Sequence, residues 1–344
     1  MRLSKKHNPV LAVTMGDPAG IGPEIAAKAI GKNAIYNNCS PVLIGNVSIM
    51  KNAIKIAGTD LSINGITEIS QAKFTKGVLN IYEIGGVKTE NVRFGEVSAE
   101  AGDLAFRAIK TAIDLAMQVK VNGIVTGPVN KESVNKAGYH FSGHTEMFAH
   151  YTNTGKYAMM LADKSLKVAH VSTHVQLRKA CDMIKKERVL DVILMFNSAL
   201  KKLGIPSPRI GVAGLNPHSS DGGLFGNEEA DEIIPAVEEG KKSGIKVEGP
   251  VPPDTLFALT YGGKYDGCIA MYHDQGHIPF KLLGFKWDEE EKRMKNVSGV
   301  NITLGLPIVR TSVDHGTAFE IAGKGIASPV ALNQAIEYAV KLLK

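Results

Sequence analysis

Cysteine is scarce in this 344-residue chain: Cys39, Cys181 and Cys268 lie far apart and form no CxxC pair. That usage reads as a reducing cytoplasm with buried or incidental thiols, and it excludes a disulfide framework. Long apolar runs are also missing. A membrane span needs about 18 or more consecutive apolar residues, so none is expected. The first residues carry Arg2, Lys5 and Lys6 but no long apolar stretch before a cleavage site, so no export signal is expected and a cytoplasmic location is. Basic residues are not interleaved with aromatics along any stripe, so nucleic acid is not an expected partner. No internal repeat is visible.

What is present is a core-forming composition, 44% hydrophobic, with a formal charge of +6. Such a length suffices for one large α/β unit or two lobes. The Lys pairs at 5–6, 185–186, 201–202 and 241–242 read as solvated helix faces. A modest positive excess still favours an anionic small substrate.

Short apolar runs alternate with helical patterns. Val10–Thr14, Pro41–Gly45, Gly123–Pro128, Lys167–Val171 and Ile210–Leu215 read as strands. Pro23–Ile30, Ala99–Val119, Lys186–Leu203 and Pro329–Leu343 read as helices, the first with proline in its opening turn. The alternation predicts an α/β fold with a mainly parallel sheet covered on both faces. Two segments depart from it. Residues 60–95 are polar, with strand-like pieces such as Val78–Tyr82, and read as a peripheral section. Lys286–Gly299, with Trp287 and the run Asp288–Arg293, reads as an exposed loop or short helix.

The richest stretch chemically is Met271-Tyr272-His273-Asp274-Gln275-Gly276-His277-Ile278-Pro279, directly after the apolar run Gly267–Ala270. It puts an imidazole beside a carboxylate where a buried strand ends, and open α/β sheets build sites at that edge. His174 and His218 follow other apolar runs by a few residues. Three imidazoles that met there would leave coordination positions open for substrate, as catalytic metal sites do. They suit Zn, Co, Ni or Mn better than Ca. The competing reading makes each an ordinary hydrogen-bonded histidine.

Anion-binding candidates are Gly143-His144-Thr145-Glu146, which opens a helix, and Lys281, Asn301 and Arg310. Singly, each charge is as readily a surface residue. Met15–Glu24 is a glycine-rich strand-to-helix turn, but it lacks the dinucleotide fingerprint. Gly20-x-Gly22 meets Ile25 where a third glycine is required, and no acidic partner follows about 20 residues on. The turn reads as a shaped active-site floor with Asp17 held by local hydrogen bonds. Finally, Asp314–Pro329 is rich in glycine and small residues, which lets backbone approach a flat ligand.

The run His315-Gly316-Thr317-Ala318, followed by Ile321-Ala322-Gly323-Lys324-Gly325-Ile326-Ala327, resembles the adenosine-binding loop of isopropylmalate and isocitrate dehydrogenases. The whole set resembles the 4-hydroxythreonine-4-phosphate dehydrogenase family, through stretches that run nearly end to end: 14–25, 126–131, 143–146, 173–178, 214–229, 252–257, 272–281 and 300–325. The resemblance implies a two-lobed α/β/α fold and a homodimer, with active sites in the cleft between lobes and shared between subunits. It implies that His174, His218 and His273 hold one divalent ion (Zn, Mg, Co, Mn or Ni), with ligands from both subunits. It matches His144, Thr145, Lys281, Asn301 and Arg310 to substrate contacts, and Asp254 and Asp274 to acidic residues of the same site. Lys281 or one of those carboxylates would be the base. His315, Gly316, Thr317 and Ala318 would hold NAD.

The implied reaction is NAD-dependent oxidation of a 4-phosphorylated hydroxy acid followed by decarboxylation, as in pyridoxine biosynthesis. One departure points elsewhere. Biosynthetic members usually carry Gly-Leu-Pro after His-Asp-Gln, whereas here the run is Gly276-His277-Ile278-Pro279. That variant resembles the branch acting on D-threonate or D-erythronate 4-phosphate, in the catabolism of four-carbon acid sugars. The segment 286–299 is also longer than the family's usual link. Two rival functions use the same residues: a metal-dependent lyase or aldolase without a redox cofactor, and a non-catalytic phosphosugar-binding protein.

Overall fold

A computed structural model describes residues 8–85, 89–141, 143–290, 293–295 and 298–344. They form two compact units, one from Met1–Asn153 with Pro307–Leu343, the other from Thr154–Leu306.

Unit 1 is built on a parallel sheet. Its strands are β1 (Val10–Thr14), β2 (Ser40–Gly45), β3 (Ser62–Ile66), β4 (Val78–Glu83), β5 (Gly123–Thr126) and, from the end of the chain, β14 (Val309–Val313). The order is β3-β4-β2-β1-β5-β14. Pairs such as Val13↔Leu43 and Thr311↔Val125 run parallel. Both faces of β1, β2 and β5 are buried, which is why they read as unbroken apolar runs.

The covering helices are α1 (Gly22–Ile30), α2 (Val47–Ala57), α3 (Ala99–Met117), α4 (Lys131–Lys136), α5 (His144–Tyr151) and, near the chain's end, α11 (Val330–Leu342). The start of α3 is fixed by Ser98, whose Oγ accepts the amide of Ala101 at 3.1 Å. From there Ala101, Leu104, Ala105, Ala108, Ile109 and Ala112 form one buried stripe.

The polar section 60–95 is not peripheral to this sheet but part of it. β4 pairs parallel with β2, and β3 with β4. The strand-like run Val78–Tyr82 is β4, and the polar residue within it is internally satisfied. Asn80 is fully buried, accepting from Asn64 Nδ2 (2.9 Å) and Lys73 N (2.7 Å) and donating to Lys73 O (3.0 Å).

Unit 2 holds β6 (Ala158–Ala162), β7 (Lys167–His170), β8 (Arg209–Ala213), β9 (Lys246–Val251), β10 (Gly267–Ala270) and, beyond a hairpin, β13 (Val300–Leu304). The order is β13-β6-β7-β10-β8-β9. Only β6 runs against its neighbours. The strands β7, β10, β8 and β9 are parallel. The helices here are α6 (Leu177–Asp182), α7 (Lys186–Lys202), α8 (Ile234–Lys242), α9 (Pro253–Tyr261) and α10 (His273–Gly284).

The charged segment after α10 is neither loop nor helix. It carries an antiparallel hairpin of β11 (Lys286–Asp288) and β12 (Arg293–Lys295), in a register that sets Trp287 opposite Met294. Lys-Trp-Asp and Arg-Met-Lys alternate polar and apolar residues, the period of a strand, and the acidic run between them masks that period. Residues 291, 292, 296 and 297 lie outside the described set.

Candidate active site

Three adjacent parallel strands of unit 2 end at the three candidate metal ligands. β10 lies between β7 and β8, with Ala270 opposite His170 and Ile269 opposite Val212. His273 follows β10, His174 follows β7 and His218 follows β8. Neighbouring strands lie about 4.8 Å apart, so the three loops emerge side by side.

The rings of His174 and His273 come together, their centroids 5.6 Å apart. Both line an open pocket of about 790 Å³ with Thr173, Tyr272 and Asp274. His273 Nδ1 donates to Asp274 Oδ1 at 2.6 Å, which leaves Nε2 as the unprotonated ring nitrogen. Gln275 ties two strand ends together. Its Oε1 accepts from Met271 N (2.7 Å) and its Nε2 donates to Gly214 O (2.9 Å). Sequence reasoning quoted Gln275 in the motif without giving it this role.

His218 stands apart from that pair. It is not among the residues lining the pocket, and its Nδ1 is 3.9 Å from Asp254 Oδ2, in the first turn of α9. Among the described residues, no group of three or more His, Cys, Asp or Glu side chains is arranged so that it could hold a metal ion. The His218 turn is unusual. His218, Ser219, Ser220 and Asp221 all have φ between +47° and +72°. Consecutive left-handed residues other than glycine cost about 1–2 kcal/mol each and persist only where surroundings enforce them. Here the enforcement is visible. Buried Glu229 accepts the amides of Leu215 and Asn216 at 2.8 Å each, and Ser220 Oγ donates to Gly226 O. Gly214 is required because a Cβ there would meet Ser219 Cα at 2.9 Å.

Lys281 lies on the face of α10 shared by positions 273 and 277, its Nζ over the Phe285 ring at 5.5 Å. On β13, Asn301 donates through Nδ2 to Met159 Sδ at 2.9 Å. Its Oδ1 is buried with no hydrogen-bond partner among the described residues.

Unit 1 brings together the candidate anion-binding residues. His144 and Thr145 open α5, whose first-turn amides have no acceptor within the helix, the feature that makes a helix N-terminus suited to an anion. Arg310 on β14 is 2% exposed. Its Nη2 donates to Thr126 Oγ1 at 2.8 Å and its guanidinium lies 5.3 Å over the Phe148 ring. Burial lowers the Arg310 pKa to about 9, opposed by Glu146, so it remains a cation at neutral pH. Burial, then the charges of Arg310 and Lys131, hold the His144 imidazole well below its usual range, hence neutral. Its Nε2 is buried with no hydrogen-bond partner among the described residues. Lys131, in the first turn of α4, is a cation of this set that sequence reasoning did not single out.

The glycine-rich turn and the last motif are bound to each other. Ile21 N donates to Thr317 O at 3.0 Å, and a Cβ on Gly20 would meet Thr317 Cβ at 2.8 Å. Glu24 accepts from Ala327 N (2.7 Å), Gly325 N (3.2 Å) and Lys28 Nζ (2.7 Å), fastening the motif to α1. His315 Nδ1 donates to Gly316 O at 2.9 Å, and Ala318 is left-handed at φ +44°. The space over Gly316 is open, with no atom within 4 Å of a Cβ there. A cavity of about 650 Å³ adjoins the turn, lined by Pro18, Gly20, Asn52, Phe94 and Gly323. His315 to Ala318 do not line it.

The family model for the pyridoxal phosphate biosynthetic protein PdxA matches residues 37–339. The chain belongs to the PdxA family. One relative, from Oceanobacillus iheyensis, is 45% identical over 342 residues, covering 99% of each chain, and is named "Putative D-threonate 4-phosphate dehydrogenase". A relative of the same name from Bradyrhizobium diazoefficiens is 46% identical over 335 residues, 96% of each chain. The solved 4-hydroxythreonine-4-phosphate dehydrogenase of Klebsiella pneumoniae is 42% identical, with TM-score 0.83, and covers 98% of this chain and 100% of its own.

Proposed function

We propose that this PdxA-family chain is a metal- and NAD-dependent dehydrogenase that oxidises a four-carbon hydroxy acid 4-phosphate, D-threonate 4-phosphate foremost, and decarboxylates the product. The observation that carries the reading is the meeting of His174 and His273 at the ends of adjacent parallel strands, with His218 at the end of the strand beyond. The relatives' names favour D-threonate 4-phosphate over its amino counterpart.

The donor set suits a borderline divalent ion: imidazoles, one with its second nitrogen fixed by a carboxylate. His174, His218 and His273 would hold it, and Lewis-acid polarisation of the substrate's oxygens is the chemistry it would supply when bound. His218 reaches no shared cluster within the described chain, which fits ligands drawn from two copies. An apolar stripe on α10, with Ile278 66% and Leu282 78% exposed and four residues apart, is a face that a second copy would cover in a homodimer.

Arg310, His144, Thr145 and the N-terminus of α5 grip the phosphate and so fix the carbinol carbon in place. Asn301 offers its carbonyl oxygen to a substrate hydroxyl. Lys281, or Asp254 or Asp274 through water, takes the hydroxyl proton as hydride leaves the same carbon. His315, Gly316, Thr317 and Ala318 would hold NAD, which would supply the hydride acceptor. The oxidised product would be a β-keto acid; the bond from its α-carbon to the carboxylate breaks to release CO2, and the electron pair passes into an enolate that then takes up a proton.

The test is His218→Ala. Loss of both metal binding and turnover is the expected result, and survival of both would remove the metal assignment.

A further inference from the structure

We propose that His277 is a positioning residue that holds the ring of His273 in its ligating orientation. The proposal rests on the metal reading above, and it concerns a residue that reading does not use.

His277 occupies the turn of α10 directly after His273. Its ring lies flat against the His273 ring, with centroids 3.7 Å apart and planes 12° apart. Its Nδ1 donates to the backbone oxygen of His273 at 3.0 Å, so the His277 ring is itself pinned to the residue it supports. From below, the ring of buried His170 packs against His277 with centroids 4.8 Å apart. Gly276 permits this, because a Cβ there would collide with His170 Nε2.

The result is a column of three rings, His170, His277 and His273, rising from the core to the pocket. His273 is thereby held from two sides. Asp274 accepts the Nδ1 proton, and His277 holds the ring in the plane from which that bond is made, so the tautomer depends on both. A leucine in its place would fill comparable space. It offers neither a flat face nor a donor to the His273 carbonyl. Outer residues that orient a metal-bound imidazole are worth about 10–100-fold in affinity.

The test uses full-length protein with ¹⁵N-labelled histidine, prepared as wild type, His277→Leu and His277→Phe. Thermal unfolding first establishes that each variant is folded. Ring ¹⁵N shifts in metal-free protein at pH 8 report the His273 tautomer, and chelator competition reports the Kd for Zn²⁺. Wild type is expected to show one tautomer, protonated at Nδ1. His277→Leu should show averaging of the two forms and about tenfold weaker Zn²⁺ binding. His277→Phe, which keeps the flat face, should recover most of both.

If folded His277→Leu keeps the single tautomer and binds Zn²⁺ as wild type does, the proposal is wrong. If wild type binds no metal, the proposed function fails, and the ring shifts still decide the role of His277. Should His277→Leu not fold, His277→Gln, which keeps a donor without the ring, must show the same averaging. A single tautomer in it overturns the proposal.

Discussion

Asp274 Oδ1 stands 2.6 Å from His273 Nδ1, at the first turn of a helix that begins where the central strand of three ends. The pair is partly solvent-exposed, so it adds little to stability. Its effect is on ligation. Asp274→Asn is expected to weaken binding of a divalent ion about 10–100-fold while leaving the unfolding temperature near wild type. Isothermal titration and a melting curve on the same preparation check both halves. A large loss of stability with unchanged metal affinity would assign Asp274 to the fold instead.

Arg310 is the buried cation of the anion-binding set. Charge-assisted bonds to an anion are worth about 1.5–3 kcal/mol, so Arg310→Met should raise KM for the phosphorylated substrate roughly 10–100-fold. Arg310→Lys should restore only part of that, because an ammonium cannot offer the paired geometry. Steady-state kinetics decide; an unchanged KM would move the phosphate elsewhere.

Asp17 gives a prediction about pH. It is buried in the glycine-rich turn. One oxygen accepts Ala19 N at 2.8 Å. Burial raises its pKa from 3.8 to about 6, and hydrogen bonds from the Ala19 and Asn130 backbone and the Ser133 side chain oppose this. The folded state therefore binds this proton more tightly than the unfolded chain. The group's contribution is most favourable below pH 3.8 and is lost as pH rises through about 6. At about 1.4 kcal/mol per unit the loss approaches 3 kcal/mol at neutral pH. Asp17→Asn is expected to raise stability at pH 7.5 by about 1–3 kcal/mol, with the gain vanishing near pH 4. Urea titrations at the two pH values test the sign, and a variant that is destabilised at pH 7.5 contradicts it.

Leu282 is the most exposed residue of the apolar stripe on α10. Leu282→Glu would bury a charge wherever a second copy covers that stripe, a penalty of several kcal/mol. Light scattering on wild type should return twice the chain mass, and on Leu282→Glu the chain mass alone. A monomeric wild type would refute the shared-site reading.

Much of the fold was legible in sequence, because strands buried on both faces are unbroken apolar runs and helices carry their own stripes. β1, β5, β7 and β10 follow this rule. β4 was legible as the strand-like run Val78–Tyr82, but its place inside the main sheet was not, since the partners that satisfy Asn80 are set by the fold rather than by spacing. The hairpin of β11 and β12 was obscured by charge.

Within the site, His174 and His273 were legible as strand-end residues, and His144 as a helix opener. Gln275, Glu229 and Lys131 were not, because their roles lie in contacts made 13 or more positions away. His277 was legible as a departure from a pattern. Its stacking on His273 needed coordinates, although a separation of four in a helix is the geometry that permits it.

The central claim is metal-dependent oxidation of a four-carbon acid 4-phosphate by NAD. The direct measurement is absorbance at 340 nm with NAD and, side by side, D-threonate 4-phosphate, D-erythronate 4-phosphate and 4-phosphohydroxythreonine, with CO2 release followed in parallel. Each assay is run on chelator-stripped protein and on protein reloaded with a divalent ion. The account predicts NADH and CO2 in equal amounts from D-threonate 4-phosphate, faster than from the other two, and only in the reloaded protein. Oxidation that proceeds equally in stripped protein, or metal-loaded protein that oxidises none of the three, would contradict it.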